Sequence, residues 1–120
     1  MENKFQRQTA IKTNIKNIIL GKYVQTSEQE ANYLLGANQQ KLYRINLIAI
    51  IVQKEQTSSI TNLMLDDGSS KISLRSFEEN KNVDKSNIGD VILVIGKARS
   101  YNEEIYISPE IVKKINPLWL

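Results

Sequence analysis

Residues 60–77, Ile-Thr-Asn-Leu-Met-Leu-Asp-Asp-Gly-Ser-Ser-Lys-Ile-Ser-Leu-Arg-Ser-Phe, constrain the fold of this chain more than any other stretch. Two apolar-patterned runs meet at Asp67-Gly68, and glycine accepts the positive φ that a tight hairpin demands, so the stretch reads as two antiparallel strands. In the second run Ile72 and Leu74 point to one face, while Ser73, Arg75 and Phe77 point to the other. A cation followed two residues later by an aromatic, on the face away from the core, supplies what a single-strand groove uses: a charge for phosphate and a plane for a base. The same pair also fits a solvent-facing Arg and a Phe folded under a loop.

The rest of the chain adds strands around this hairpin. Ile11, Ile15, Ile18 and Ile19 fit a helical stripe closed by Gly21, or equally a short extended stretch followed by one helical turn; β-branched Ile and Thr13 weaken a long helix and favour the mixed form. Tyr33–Leu35 is a short strand candidate, and residues 36–40 (Gly-Ala-Asn-Gln-Gln) form a turn. Residues 42–54 read as one long strand, apolar on both faces through its middle, as suits a bent strand at the spine of a small barrel. Strands at 60–66 and 71–77 follow, then a polar loop over 78–88, a strand at 91–98 and a shorter one at 104–108. Ser108-Pro109-Glu110 and Asn116-Pro117 both carry helix-start chemistry. Ile72, Leu74, Leu63, Leu65 and Leu93 are the expected core.

Five strands with hairpins between the second and third and between the fourth and fifth predict an all-β, five-stranded Greek-key barrel of the OB type. SH3-like barrels and small sandwiches are the alternatives, but the one long loop falls between strands three and four, where an OB barrel carries its plug. That loop is short enough that its helix reduces to a turn. The expected organisation is a flexible basic leader over 1–10, the barrel over 11–116 and the truncated start of a C-terminal helix over 117–120.

Composition narrows the chemistry. The 120 residues contain no Cys and no His, which removes disulfides, cysteine metal sites, the commonest zinc ligand and the commonest general base. An enzyme would have to work with carboxylates, Lys, Tyr or hydroxyls alone, so none is expected, and no cofactor or metal. Asp66 and Asp67 lack a third carboxylate at useful spacing and read as turn residues. Sixteen Lys and Arg against thirteen Asp and Glu give a net charge of +3, too small to define a polyanion partner alone. Its distribution is uneven: residues 1–27 carry Lys4, Arg7, Lys12, Lys16 and Lys22 against Glu2. No apolar stretch approaches the ~20 residues of a membrane-spanning helix, and no signal-peptide pattern opens the chain, so no membrane partner is expected.

Residues 11–20 (Ile-Lys-Thr-Asn-Ile-Lys-Asn-Ile-Ile-Leu), 44–51 (Arg-Ile-Asn-Leu-Ile-Ala-Ile-Ile), 63–77 and 89–102 (Gly-Asp-Val-Ile-Leu-Val-Ile-Gly-Lys-Ala-Arg-Ser-Tyr-Asn) occur in an order that resembles the middle subunit of replication protein A. The tail over 104–115, Glu-Ile-Tyr-Ile-Ser-Pro-Glu-Ile-Val-Lys-Lys-Ile, looks like the archaeal members in particular. The resemblance spans Ile11 to Leu120. It implies an OB fold, binding of single-stranded DNA without sequence preference, assembly with other replication protein A subunits, and a cytoplasmic, nucleoid-associated setting of archaeal type. It also puts the two base-stacking aromatics at the end of strand three and in the loop after strand four, which are Phe77 and Tyr101 here.

Further groove candidates follow from parity. Lys97, Arg99 and Tyr101 share one face beyond Gly96 if no bulge intervenes, and with Arg75 and Phe77 they give three cations and two rings. Lys54, Ser58 and Ser59 flank the loop between strands one and two, which can close over a groove. Tyr106 alternates with Ile105 and Ile107 and faces outward, as a groove contact or as a cover for a sheet edge. Tyr43 and Arg44 read as structural. Glu78-Glu79 and Glu103-Glu104 would repel phosphate. Three functions are consistent with these residues: a single-stranded DNA-binding subunit, an OB-fold protein-interaction module in a replication or telomere-capping complex, and an RNA- or tRNA-binding domain. The chain alone is expected to be a monomer.

Overall fold

The computed structural model describes residues 9–26, 32–77, 81–116 and 118. Most of the expected leader, the Glu78-Glu79 pair and most of the 117–120 helix start lie outside them. Among the described residues the elements run β1 (Ile11–Lys12), α1 (Ile15–Ile19), β2 (Lys22–Val24), β3 (Tyr33–Leu35), β4 (Lys41–Leu42), β5 (Ile45–Gln56), β6 (Thr61–Asp66), β7 (Lys71–Ser76), α2 (Lys81–Asp84), β8 (Val91–Tyr101) and β9 (Glu104–Lys114).

The barrel closes through β5. Its first half, Ile45–Ile50, pairs antiparallel with β8, and its second half, Ile50–Gln56, pairs antiparallel with β6. A register shift between Ile51 and Gln53 leaves Val52 as the extra residue, and such a bulge lets one strand bend from one side of a barrel to the other. The remaining order β6-β7-β9-β8 includes a parallel β7–β9 pairing, Ser73 opposite Tyr106 and Leu74 opposite Ile107. In the β6–β7 hairpin Asp66 pairs with Lys71, so the Asp-Gly turn is a four-residue loop with Gly68 at φ 89°. Asp66 Oδ1 accepts the Gly68 N–H, the Asx-turn chemistry that made this loop legible.

Leu63, Leu65, Ile72 and Leu74 are buried as expected, with Leu47, Ala49, Ile51, Ile92, Val94, Ile107 and Val112 around them. Leu93 is not in the core. It lies on the outer parity of β8, while Ile92 and Val94 face in. The run Val91–Ile95 is apolar on both parities, so alternation gave no signal for the register there. Ile15 and Ile18 of α1 cover one barrel end and Val83 of α2 joins the same core from the other, near Thr61, whose Oγ1 donates to Asp84 Oδ1. α2 is the plug reduced to a single turn of four residues.

The strand boundaries differ from the sequence reading as well. Residues 42–54 are not one strand: Leu42 belongs to β4, and β2, β3 and β4 form a separate three-stranded antiparallel sheet. Ser108-Pro109-Glu110 does not start a helix, because β9 continues through it to Lys114. A register shift opposite Ile95 and Gly96 leaves Glu110 as the extra residue beside Pro109, and a bulge is where a strand tolerates proline. Gly96 is required there: a Cβ on it would lie 2.3 Å from Ser108 O, so β8 and β9 approach closely only without a side chain. The bulge also turns Ile111 outward and Val112 into the core. At Asn116 the helix-start chemistry has a trace, since its Oδ1 accepts the Leu118 N–H at 3.0 Å.

Candidate nucleic-acid interface

The β7-β9-β8 order brings together residues far apart in sequence. Tyr106, on the outer face of the middle strand, has Ser73 opposite on β7 and Arg99 opposite on β8. The Arg75 guanidinium carbon lies 4.7 Å from the Tyr106 ring centre, within cation–π range. The Phe77 ring meets Tyr106 edge-on, centroids 6.2 Å apart at 71°. No register shift interrupts Gly96 to Tyr101, so Lys97, Arg99 and Tyr101 do share a face, opposite Ser108, Tyr106 and Glu104 respectively. Tyr101 is the last residue of β8 rather than part of a loop. Asn102 and Glu103 form the two-residue turn after it, both with positive φ, as a type I′ hairpin requires.

Phe77 is 53% exposed and Tyr101 65% exposed, so both rings offer open surface at either side of the Tyr106–Arg75 pair. Beside them runs a trough over β6 and β7. One hollow of about 580 Å³ is lined by Ile19, Met64, Ser73 and Ile105 with Glu103 and Glu104 at its rim, and it meets a smaller one bounded by Glu55, Asn62 and Arg75. A third hollow of about 340 Å³ lies where the β5–β6 turn, with Ser58 and Ser59, faces Phe77.

Charge in the site is partly cancelled. Arg75 Nη2 donates to Glu104 Oε1 at 2.8 Å, so the cation nearest the rings is already paired. Lys54 lines the smaller hollow, but its ammonium is already committed to the end of α2. The Val52 bulge moves it to the inward parity opposite Leu63, and its Nζ donates to the carbonyls of Asp84 and Ser86, each at 2.7 Å. There it satisfies the carbonyls that end α2. Asn62 and Met64 escaped the sequence reading, although they alternate with Leu63 and Leu65 and so face the trough by parity, beside Ser73. Asn62 Oδ1 is buried without a hydrogen-bond partner among the described residues. The chemistry available on this face is stacking, cation contact and hydrogen bonding.

A five-stranded barrel with one strand shared between both sides and a parallel pairing of the third and fifth barrel strands defines the OB fold. No protein-family model matches the sequence, and no curated protein matches it. Solved structures do. A replication protein A heterotrimer bound to single-stranded DNA superposes with a TM-score of 0.70 at 16% identity, over 91% of this chain and 83% of that one. The S. pombe Stn1–Ten1 complex superposes at 0.71 and 14% identity, over 94% and 82%. An asparaginyl-tRNA synthetase from Pyrococcus horikoshii superposes at 0.54 and 11% identity, where 60% of this chain covers 19% of the enzyme. At these identities the likeness shows the fold.

Proposed function

We propose that this chain binds single-stranded DNA without sequence preference, as an OB-fold subunit of a replication protein A-like assembly acting in replication, repair and recombination. The observation that carries the reading is the Phe77–Tyr106–Arg75 cluster, with Arg99 across the strand from Tyr106 and the exposed Tyr101 beyond it. Stacking on such rings contributes roughly 1–3 kcal/mol per base and accepts any base, because every base has a π-face. The chain works as a binding protein and not as an enzyme, a reading supported by a sequence with no His or Cys. Its macromolecular partners are other OB-fold subunits, and alone it is a monomer.

A second reading, an OB module that docks protein partners and barely touches DNA, is favoured by one observation: the Arg75–Glu104 ion pair, with Glu103 beside it at the trough rim. A salt titration with labelled poly-dT separates the two. Three phosphate contacts through Arg75, Lys97 and Arg99 give a slope of log affinity against log salt of about −2, at roughly 0.7 per contact on a single strand. No binding at low salt would overturn the first reading and leave the second.

A further inference from the structure

The small β2-β3-β4 sheet carries a second set of rings and cations that the OB groove does not use. Leu34 and Leu42 face the core, so the opposite parity faces outward. On that outer side Lys22 and Lys41 both lie opposite Leu35, one on each neighbouring strand, roughly 10 Å apart. In the next row Tyr33 meets Tyr43, ring centres 5.3 Å apart, and Lys41 Nζ sits 5.1 Å from the Tyr33 ring centre. Both lysines are exposed and both rings half-exposed.

The charge on these strands themselves is one-sided. Residues 9–26 and 32–43 contain Lys12, Lys16, Lys22 and Lys41 and no Asp or Glu, while the intervening Glu28 and Glu30 lie outside the described residues. Arg44, just beyond, is paired with Glu110 at 2.7 Å. The OB face, by contrast, carries Glu103 and Glu104 among its cations. β2 and β3 pack against β8, the strand that bears Lys97 and Arg99. The small sheet therefore lies beside the strand that carries these groove cations.

We infer that the outer face of β2-β3-β4 is a second single-strand contact surface, with Lys22 and Lys41 meeting phosphates and Tyr33 offering a stacking plane. It rests on the single-strand reading above and extends the path of the bound strand beyond the OB groove.

The test uses two oligothymidylates, one at the lower and one at the upper end of the roughly 4–16 nucleotides that an OB fold spans, read by fluorescence anisotropy across a salt series. Wild type is compared with the double variant K22Q/K41Q and with Y33L; the lysine variants change only exposed side chains, and thermal melts verify that each protein is folded. The expected result is that K22Q/K41Q binds the short oligonucleotide as wild type does, while its salt slope on the long one falls by about 1.4, two contacts at roughly 0.7 each. Y33L should weaken the long oligonucleotide about fivefold or more and leave the short one unchanged. If wild type binds neither oligonucleotide, the single-strand reading itself falls, and this inference with it. If the short one binds in a Phe77-dependent way but K22Q/K41Q leaves the long one unaffected, or weakens both alike, the second surface alone is overturned. Polyglutamate binding that K22Q/K41Q abolishes, with DNA binding intact, would assign the sheet to an acidic protein partner and overturn it too.

Discussion

Phe77 follows directly on β7 and is more than half exposed, and its ring meets Tyr106. A side chain so placed contributes little to folding, so its removal separates binding from stability. Phe77→Ala should leave the melting temperature close to wild type while weakening poly-dT binding by roughly 1–3 kcal/mol, with both measured on one sample. A large loss of stability with normal affinity in the folded fraction would remove the stacking role. Arg75→Gln should act differently, lowering the salt slope by about 0.7, because a lost phosphate contact releases fewer counterions. These residues were legible in the sequence because alternation holds without interruption from Lys71 to Ser76 and from Gly96 to Tyr101. Lys54 was not: a single extra residue at Val52 reverses the parity of everything after it, and no local signal in a run of Ile and Val marks where a bulge falls.

At the scale of elements, the β6–β7 loop does more than turn the chain. Asp67 Oδ2 accepts the Ile15 N–H at 2.8 Å and Ser69 Oγ accepts the Lys16 N–H at 3.0 Å, so this loop anchors the first turn of α1 across more than fifty residues of sequence. Partial burial pushes the Asp67 carboxyl up. The hydrogen bonds from the Ser69 hydroxyl and from the Ile15, Ser69 and Ser70 amides outweigh it and hold the group below its ordinary value of 3.8. A carboxyl depressed by folding stabilises the fold above its unfolded value, and that contribution is lost as pH falls through the lower folded value. The melting temperature of wild type should therefore drop more steeply below pH 3.8 than that of Asp67→Asn, which has no charge to titrate there. Parallel melting curves would rule the anchor out as a charge effect. The turn role of Asp67 was readable from Asp-Gly, whereas its tie to α1 depends on a tertiary approach that no local pattern encodes. The same holds for β9: Pro109 announces a helix start locally, and only the pairing with β8 across the Gly96 bulge makes it a strand.

For the molecule as a whole, the OB barrel was legible because strand count, hairpin positions and the single long loop all agree with one topology, and consistency across levels is what specifies a fold. The β2-β3-β4 sheet was only partly legible. Strands of two and three residues are too short to show a period, and only Tyr33–Leu35 stood out. Its place in the energetics is nevertheless clear from burial. Leu34 and Leu42 are 0% and 1% exposed and belong to the same hydrophobic cluster as Leu65, Leu74 and Ile92 of the barrel and Ile15 and Ile18 of α1. A sheet whose inner side chains are part of the barrel core cannot melt on its own without opening that core, so the small sheet and the barrel should unfold together. Leu34→Ala and Leu65→Ala are each expected to cost roughly 2–5 kcal/mol, the range for truncating a fully buried leucine. Both should shift one urea transition, followed coincidentally by far-UV circular dichroism and by tyrosine fluorescence. Far-UV ellipticity reports mainly the longer barrel strands, whereas three of the five tyrosines, Tyr23, Tyr33 and Tyr43, lie in or next to the small sheet, so a separate unfolding of the sheet would split the two probes. A Leu34→Ala variant with two transitions, only the earlier one displaced, would show instead that the sheet is an independent unit resting on a self-sufficient barrel.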